Sequence, residues 1–402
     1  MTAPLHGLTV VEIGQFIAVP GAAMNLADLG ATVIKVEPPG GDAARRVGTF
    51  GDGIFTAYNR GKRSIQLDLN DPRCQQALRV LLASADVLVH NLRPAIANRV
   101  GVVHDELIAA NPDLVIARLT GFGVRGAHQD RAGFDIAAQA ESGMMAATGA
   151  ADGPPTRIGF AVVDAAATYV LSTAVLSALL ARHRAPAAGP AERVGVIEVS
   201  LLEVAINLQG QLWGDYARTG IPPRRHGNMQ PHVAPASDYI AVADGGIVMS
   251  AYLPEHWNAV CATLGHPDLH DPRLATSDSR VAHREVMLRA LSAAMAEWSV
   301  DESIARLSAA GVVVGAVREH ADVVASAWAQ QEDAFLDVQI GDEQLSCRMP
   351  APPFKFTDAS RPTGAMVPAL GAHTEEVLVE HGIDDDVIAH ILSIGRNPGS
   401  DR

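Results

Sequence analysis

The stretch "LTVVEIGQFIAVPGAAMNLADLGATVIKVEPPGG" (8–41) decides the fold class. A β-branched run (8–14) precedes an amphipathic helical pattern (21–31), and a second strand-like run (32–41) ends in Pro and Gly. Strand, helix, strand at this spacing is a βαβ unit. The theme recurs in "RSIQLDLN" (63–70), "DVLVHNL" (86–92) and "LVIARLTG" (114–121), with "DPRCQQALRVLLASA" (71–85) as the helix between two of them. Strands alternating with helices imply a mostly parallel sheet covered on both faces. In such sheets ligands bind in the crevice beyond the carboxyl ends of the strands.

A chain of 402 residues, 48% hydrophobic and 19% charged, is long enough for a large and a small domain. Near residue 185 the composition shifts to a Pro/Ala/Gly loop, and "GIPPRRHGNMQPHVAP" (220–235) is another loop. The expected organisation is a Rossmann-like large domain built from 1–190 and 331–402, a linker over 191–225, and a small α+β domain over 226–330. The small domain holds a strand pair, "DYIAVADGGIVMSA" (238–251), turned at Asp244–Gly246, and three helical patterns. The tail ends in a helix, "HTEEVLVEHG" (373–382), after a second linker zone near 330–350.

A net charge of −14 argues against a nucleic-acid-binding protein and leaves room for a local basic pocket. The cysteines Cys74, Cys261 and Cys347 lie far apart, which reads as a reduced, cytoplasmic, metal-free chain. No signal peptide is apparent in "MTAPLHGLTVVEIG". The apolar run "TRIGFAVVDAAATYVLSTAVLSALLARH" (156–183) carries Asp164 in its first third and reads as a buried core helix, with no membrane role.

Asp164 is the sharpest feature. A carboxylate among small apolar residues is costly unless it is paired or used. An N-cap on the long helix and a catalytic carboxylate both fit it, and Asp135 in "RAGFDIAAQAESG" is equally ambiguous. No GxSxG elbow or HExxH occurs. Gly121, Gly123 and Gly126 spell GxGxxG, with Glu141 downstream, but the loop opens no helix and Glu141 lies within a helical pattern. These glycines read instead as a place where backbone approaches something closely.

Taken together, "YNRGKRSIQLDLND", "ADVLVHNLRPAIANRVGV", "LTGFGVRG", "RAGFDIAAQAESGMMAATG", "VVDAAATYVLSTAVLSALLARH", "LGAHTEEVLVEHGI" and the opening stretch resemble the family III CoA-transferases. That family includes formyl-CoA and carnitine CoA-transferases and, on the same fold, α-methylacyl-CoA racemases. The resemblance runs from about residue 4 to 385. It implies an interlocked homodimer of two-domain chains, with acyl-CoA and carboxylic acids as substrates and no permanently bound cofactor. It puts the catalytic aspartate at Asp164, whose carboxylate attacks the thioester to give an aspartyl anhydride and then an aspartyl-CoA thioester. The small residues Ala161, Ala165, Ala166 and Ala167 leave room for an acyl group.

The resemblance also implies a coenzyme A groove lined by Ile17, Ala18, Leu67, Asn70, Asn91, Leu92 and Arg99. Arg45, Arg46, Arg99 and Arg131 are the candidates for a basic patch on its phosphates. Phe134 is a further candidate for binding coenzyme A, and with Met144, Met145, Trp213 and Tyr252 for shaping the acyl pocket, with Gln230, Pro231 and His232 approaching from the small domain. Racemases of this fold use a histidine where Phe134 stands and a glutamate where Ala241 stands. A transferase is therefore the expected activity, with Asp135 beside Asp164 in the catalytic set. A racemase or a non-catalytic acyl-CoA-binding protein is the alternative.

Overall fold

The computed structural model describes residues 3–184, 195–229, 236–251, 253–341, 345–357 and 366–396. Six strands, β1 (Thr9–Ile13), β2 (Thr32–Glu37), β3 (Arg63–Gln66), β4 (Val87–His90), β5 (Val115–Thr120) and β6 (Val196–Ser200), form one sheet in the order β3-β2-β1-β4-β5-β6. Every pairing is parallel, with Val10 opposite both Val33 and Val87. The order reverses between β1 and β4, so their carboxyl ends open a crevice.

Strands buried on both faces read as near-continuous apolar runs, and the alternation sorts their side chains into two cores. Val10, Val33, Val87 and Val115 face one side, packed by Val19, Ala22 and Leu26 of α1 (Ala18–Asp28) and by Val163, Ala167, Leu171 and Val175. Val11, Ile34, Leu88 and Ile116 face the other. There they meet Leu78, Leu81 and Leu82 of a helix, Pro72–Ser84, whose start is set by Asp71 accepting from the N–H groups of Arg73 and Cys74. The C-terminal helices Thr374–Glu380 and Asp385–Arg396 complete this second face with Val377, Leu378, Ile388 and Ile391.

Two departures from expectation concern β6 and the tail. The segment 191–225, expected as a linker, contains β6, hydrogen-bonded to β5 from Val196 to Ser200, followed by helices Leu201–Asn207 and Gly210–Thr219. A second helix, Asp385–Arg396, follows the expected one in the tail.

The chain divides into two compact units. The larger takes the stretch up to Met144, Ile158–Thr219 and the stretch from Gln330 onward. The smaller takes Met145–Arg157 and Gly220–Ala329. Its sheet joins β7 (Ala236–Val242), β8 (Gly245–Ala251) and β9 (Val313–Ala316), all antiparallel, over a core that includes Trp257, Met287 and Leu291. In the larger unit a third sheet is made of β10 (Phe335–Ile340), β11 (Ser346–Pro350) and β12 (Met366–Val367).

Candidate active site

The long apolar run forms a 23-residue helix, Val162–Arg184, with Asp164 in its first turn. Its length and composition would let it cross a membrane, but one side of it is buried in the sheet core. Its opening N–H groups need acceptors. Asp135, first residue of the helix Asp135–Glu141, supplies one: its Oδ1 accepts from Val163 N at 2.7 Å and Asp164 N at 3.4 Å. The other carboxylate oxygen accepts from Gln139 Nε2 at 2.6 Å, and Gln139 Oε1 accepts from Ile158 N. The cap on the long helix is thus delivered from a neighbouring helix.

Asp164 is free of that duty. Among the described residues nothing donates a hydrogen bond to its carboxylate, which lines a cavity of about 340 Å³ at the β1/β4 crevice. Burial, and then the charge of Asp135, push its pKa up to about 7. Tyr58 faces the same carboxylate, and burial followed by the Asp164 charge raises its hydroxyl above the ordinary value. Close approach of α1 to the long helix sets this geometry. A Cβ on Gly21 would stand 2.6 Å from Thr168 Oγ1, so only glycine fits there.

The opposite wall of the cavity is the turn from β1 into α1, residues 14–17. Behind the turn lies a set of buried ions that the sequence did not announce. Lys35 Nζ donates to Glu12 Oε1 at 2.8 Å and Asp42 Oδ2 at 2.9 Å, with all three side chains fully enclosed. Lys62 Nζ donates to Glu12 Oε2 and Pro20 O, each at 2.7 Å, and to Asn59 Oδ1 at 2.9 Å. Despite burial, Glu12 and Asp42 hold Lys35 above its ordinary pKa, whereas burial brings Lys62 down to about 8 against the pull of Glu12.

The structure brings Ile17, Ala18, Asn91, Leu92, Arg131 and Phe134 to the cavity with Asp164. It also brings Gln15, Phe16, Arg93, Thr120, Gln129 and Leu201, none of which stood out in the sequence. Several expected groups are already engaged. The Asn91 amide accepts from Gln15 N at 3.3 Å and donates to Gln15 O at 3.1 Å. Arg131 pairs with both Glu141 oxygens and lies over the Phe122 ring. Arg45 is spent on Glu37, Pro368 O and the Phe55 ring, away from this cavity.

Leu67 is buried in the second core, and Asn70 is exposed and tied to Asp68. Arg46 and Arg99 are exposed outside the cavity lining. Asp135 touches Asp164 only through the helix backbone and does not line the cavity. Of the acyl-pocket candidates besides Phe134, Met144 is core, Met145 is half-buried in the smaller unit, and Trp213 is exposed beside Tyr216. Tyr252, Gln230, Pro231 and His232 lie outside the described residues. Of the GxGxxG glycines only Gly121 marks a close approach: a Cβ there would lie 2.6 Å from Gly133 Cα, whereas Gly123 and Gly126 have open space beside them and take left-handed φ values of 91° and 76°.

Comparison with known proteins converges on one family. The profile described as CoA-transferase family III matches residues 5–374. A succinyl-CoA:mesaconate CoA-transferase of Haloarcula marismortui is 34% identical over 400 residues, covering 94% of this chain and 97% of the relative. A succinate–glutarate CoA-transferase of Agrobacterium fabrum is 31% identical, covering 94% and 95%. A crystal structure of a CAIB/BAIF family protein from Brucella suis superposes with a TM-score of 0.84 at 30% identity, covering 95% of this chain and all of the other.

Proposed function

The chain belongs to CoA-transferase family III, and from that premise we propose that it moves coenzyme A between carboxylic acids through covalent chemistry on Asp164. One observation carries this: among the described residues, nothing donates to the Asp164 carboxylate that lines the cavity, whereas the nearby acids Glu12, Asp42 and Asp135 are all paired. Its ionised oxygen attacks the thioester carbonyl of an acyl-CoA, forming an aspartyl anhydride and releasing coenzyme A thiolate. The thiolate attacks the aspartyl carbonyl, giving a β-aspartyl-CoA thioester and the free donor acid. An acceptor carboxylate then attacks that thioester, and the returning thiolate takes the acceptor's acyl group, restoring Asp164.

Asp135 serves this sequence as a positioning residue, since it fixes the first turn that carries Asp164. The relatives named for succinyl-CoA, mesaconate and glutarate make short dicarboxylic acids the first substrate class to try. In the same reading the protein works as an interlocked homodimer. Tyr169, Val170 and Leu180, exposed on the Asp164 helix, form part of the apolar surface that a second chain would cover. Sedimentation at twice the chain mass is the expected result, and a monomer at micromolar concentration would remove that part of the reading.

The test of the nucleophile is intact-protein mass after incubation with a panel of acyl-CoAs headed by succinyl-CoA, with hydroxylamine or borohydride trapping. A coenzyme A-sized adduct or trapped product on Asp164, absent from Asp164→Ala, is expected. Coenzyme A binding without any adduct, alongside exchange of an α-hydrogen with solvent deuterium, would instead indicate an isomerase.

A further inference from the structure

Three successive residues of the turn between β1 and α1, Gly14, Gln15 and Phe16, are each held by a side chain from another part of the chain. Lys35 Nζ donates to Gly14 O at 3.0 Å. Asn91 accepts the Gln15 N–H and donates back to the Gln15 carbonyl. Asp42 Oδ1 accepts the Phe16 N–H at 3.2 Å. The last of these contacts is the unusual one, because Phe16 has a φ of 64°. In that left-handed conformation Cβ crowds the following carbonyl, and a residue other than glycine stays there only where its surroundings leave no choice. Glycine would take the same backbone without strain but would supply no ring. The Phe16 ring stands edge-on to Phe134 at 5.7 Å between centroids, and both line the cavity with Asp164.

We propose that Asp42 is a positioning residue for coenzyme A, holding Phe16 left-handed so that its ring and the succeeding Ile17 and Ala18 form the wall on which the thioester end lies. Asp42 is almost wholly buried, and its two oxygens divide the work. Oδ2 faces Lys35, while Oδ1 is given to two backbone N–H groups, Phe16 at 3.2 Å and Ala44 at 2.9 Å. Charge neutralisation of Lys35 would need only Oδ2, and Glu12 already shares that task. The proposal rests on reading this cavity as the coenzyme A site, and it is independent of whether Asp164 becomes covalently modified.

The experiment is isothermal titration of free coenzyme A into the full-length protein, wild type, Asp42→Ala, Phe16→Gly and the double variant, each checked for a cooperative melt. With Phe16 present, Asp42→Ala is expected to weaken binding about tenfold, the scale of releasing one strained residue. In the Phe16→Gly background the same change should cost less than about twofold, because no strain remains to be held. Asp42→Asn keeps an oxygen for the Phe16 N–H and should restore binding to within about threefold of wild type, even as it lowers the melting temperature beside Lys35. Equal losses in both backgrounds would overturn the proposal. So would a tenfold loss in Asp42→Asn, which settles the matter if Asp42→Ala does not fold. Failure of the Asp164 mechanism has a different signature: normal coenzyme A binding by the wild type, with the Asp42 effects as expected, but no adduct on Asp164.

Discussion

Glu12 and Asp164 are both carboxylates enclosed by apolar sequence, and they meet opposite surroundings. Behind the β1–α1 turn each Glu12 oxygen faces an ammonium, and Lys62 adds bonds to a carbonyl and an amide. At the start of the long helix the backbone N–H groups that could have tied up Asp164 are taken by Asp135. The first region is a satisfied ionic frame, which resists rearrangement because any broken pair strands a charge. The second is one carboxylate kept short of partners, raised to a pKa of about 7 and open to a cavity. Whether a buried acid is structural or reactive depends on what its neighbours have already bonded to.

The contrast can be broken most sharply at its two poles. Replacing Asp164 with Asn should lower CoA-transfer turnover by about a thousandfold or more while leaving coenzyme A binding intact, as steady-state rates and calorimetry would show. Replacing Glu12 with Gln should spare no function selectively. It leaves buried Lys62 with no carboxylate and Lys35 with Asp42 alone, and should cost about 3–5 kcal/mol in urea unfolding. A smaller loss would mean that water enters the frame.

Two pH experiments sharpen the reactive side. Ionised Asp164 is the attacking form, so kcat/KM should rise with pH through about 7 and level off above it. The linkage runs the opposite way for stability. The folded-state pKa of about 7 exceeds the unfolded value of about 3.9, so ionisation costs folded stability as pH climbs between them. Asp164→Asn should therefore melt higher than wild type above pH 7 and lose that advantage near pH 4. The smallest expected effect belongs to Asp135→Asn. It keeps an oxygen for Val163 N–H but removes a charge that raises Asp164, so the acid limb of kcat/KM should move to lower pH.

The sheet and Asp164 were legible because they depend on local pattern. Strands β1 to β5 alternate with helices at short range, and Asp164 stands out against its apolar neighbours. β6 was not legible. "VIEVS" is a half-exposed edge strand that runs straight into the helix Leu201–Asn207, so the stretch reads as one apolar crossing, and only pairing with β5 sets it apart as a strand. The buried ions were hidden for a related reason. Glu12, Lys35, Asp42 and Lys62 are scattered over fifty residues, and a charge seen alone in sequence reads as solvated. Arg45 shows the converse error. After "PPGGD" it looked available for phosphate, yet Glu37 holds it bidentately at 2.8 and 3.0 Å.

The C-terminal helices that close the second core have a consequence for biosynthesis. Leu78, Leu81 and Leu82 leave the ribosome well before Val377, Leu378, Ile388 and Ile391, which complete the same core from about 300 residues further along the chain. At about 5–20 residues per second, the nascent chain carries that face uncovered for tens of seconds. Chaperone occupancy of stalled chains, mapped against length, should therefore stay high until the helices Thr374–Glu380 and Asp385–Arg396 have emerged.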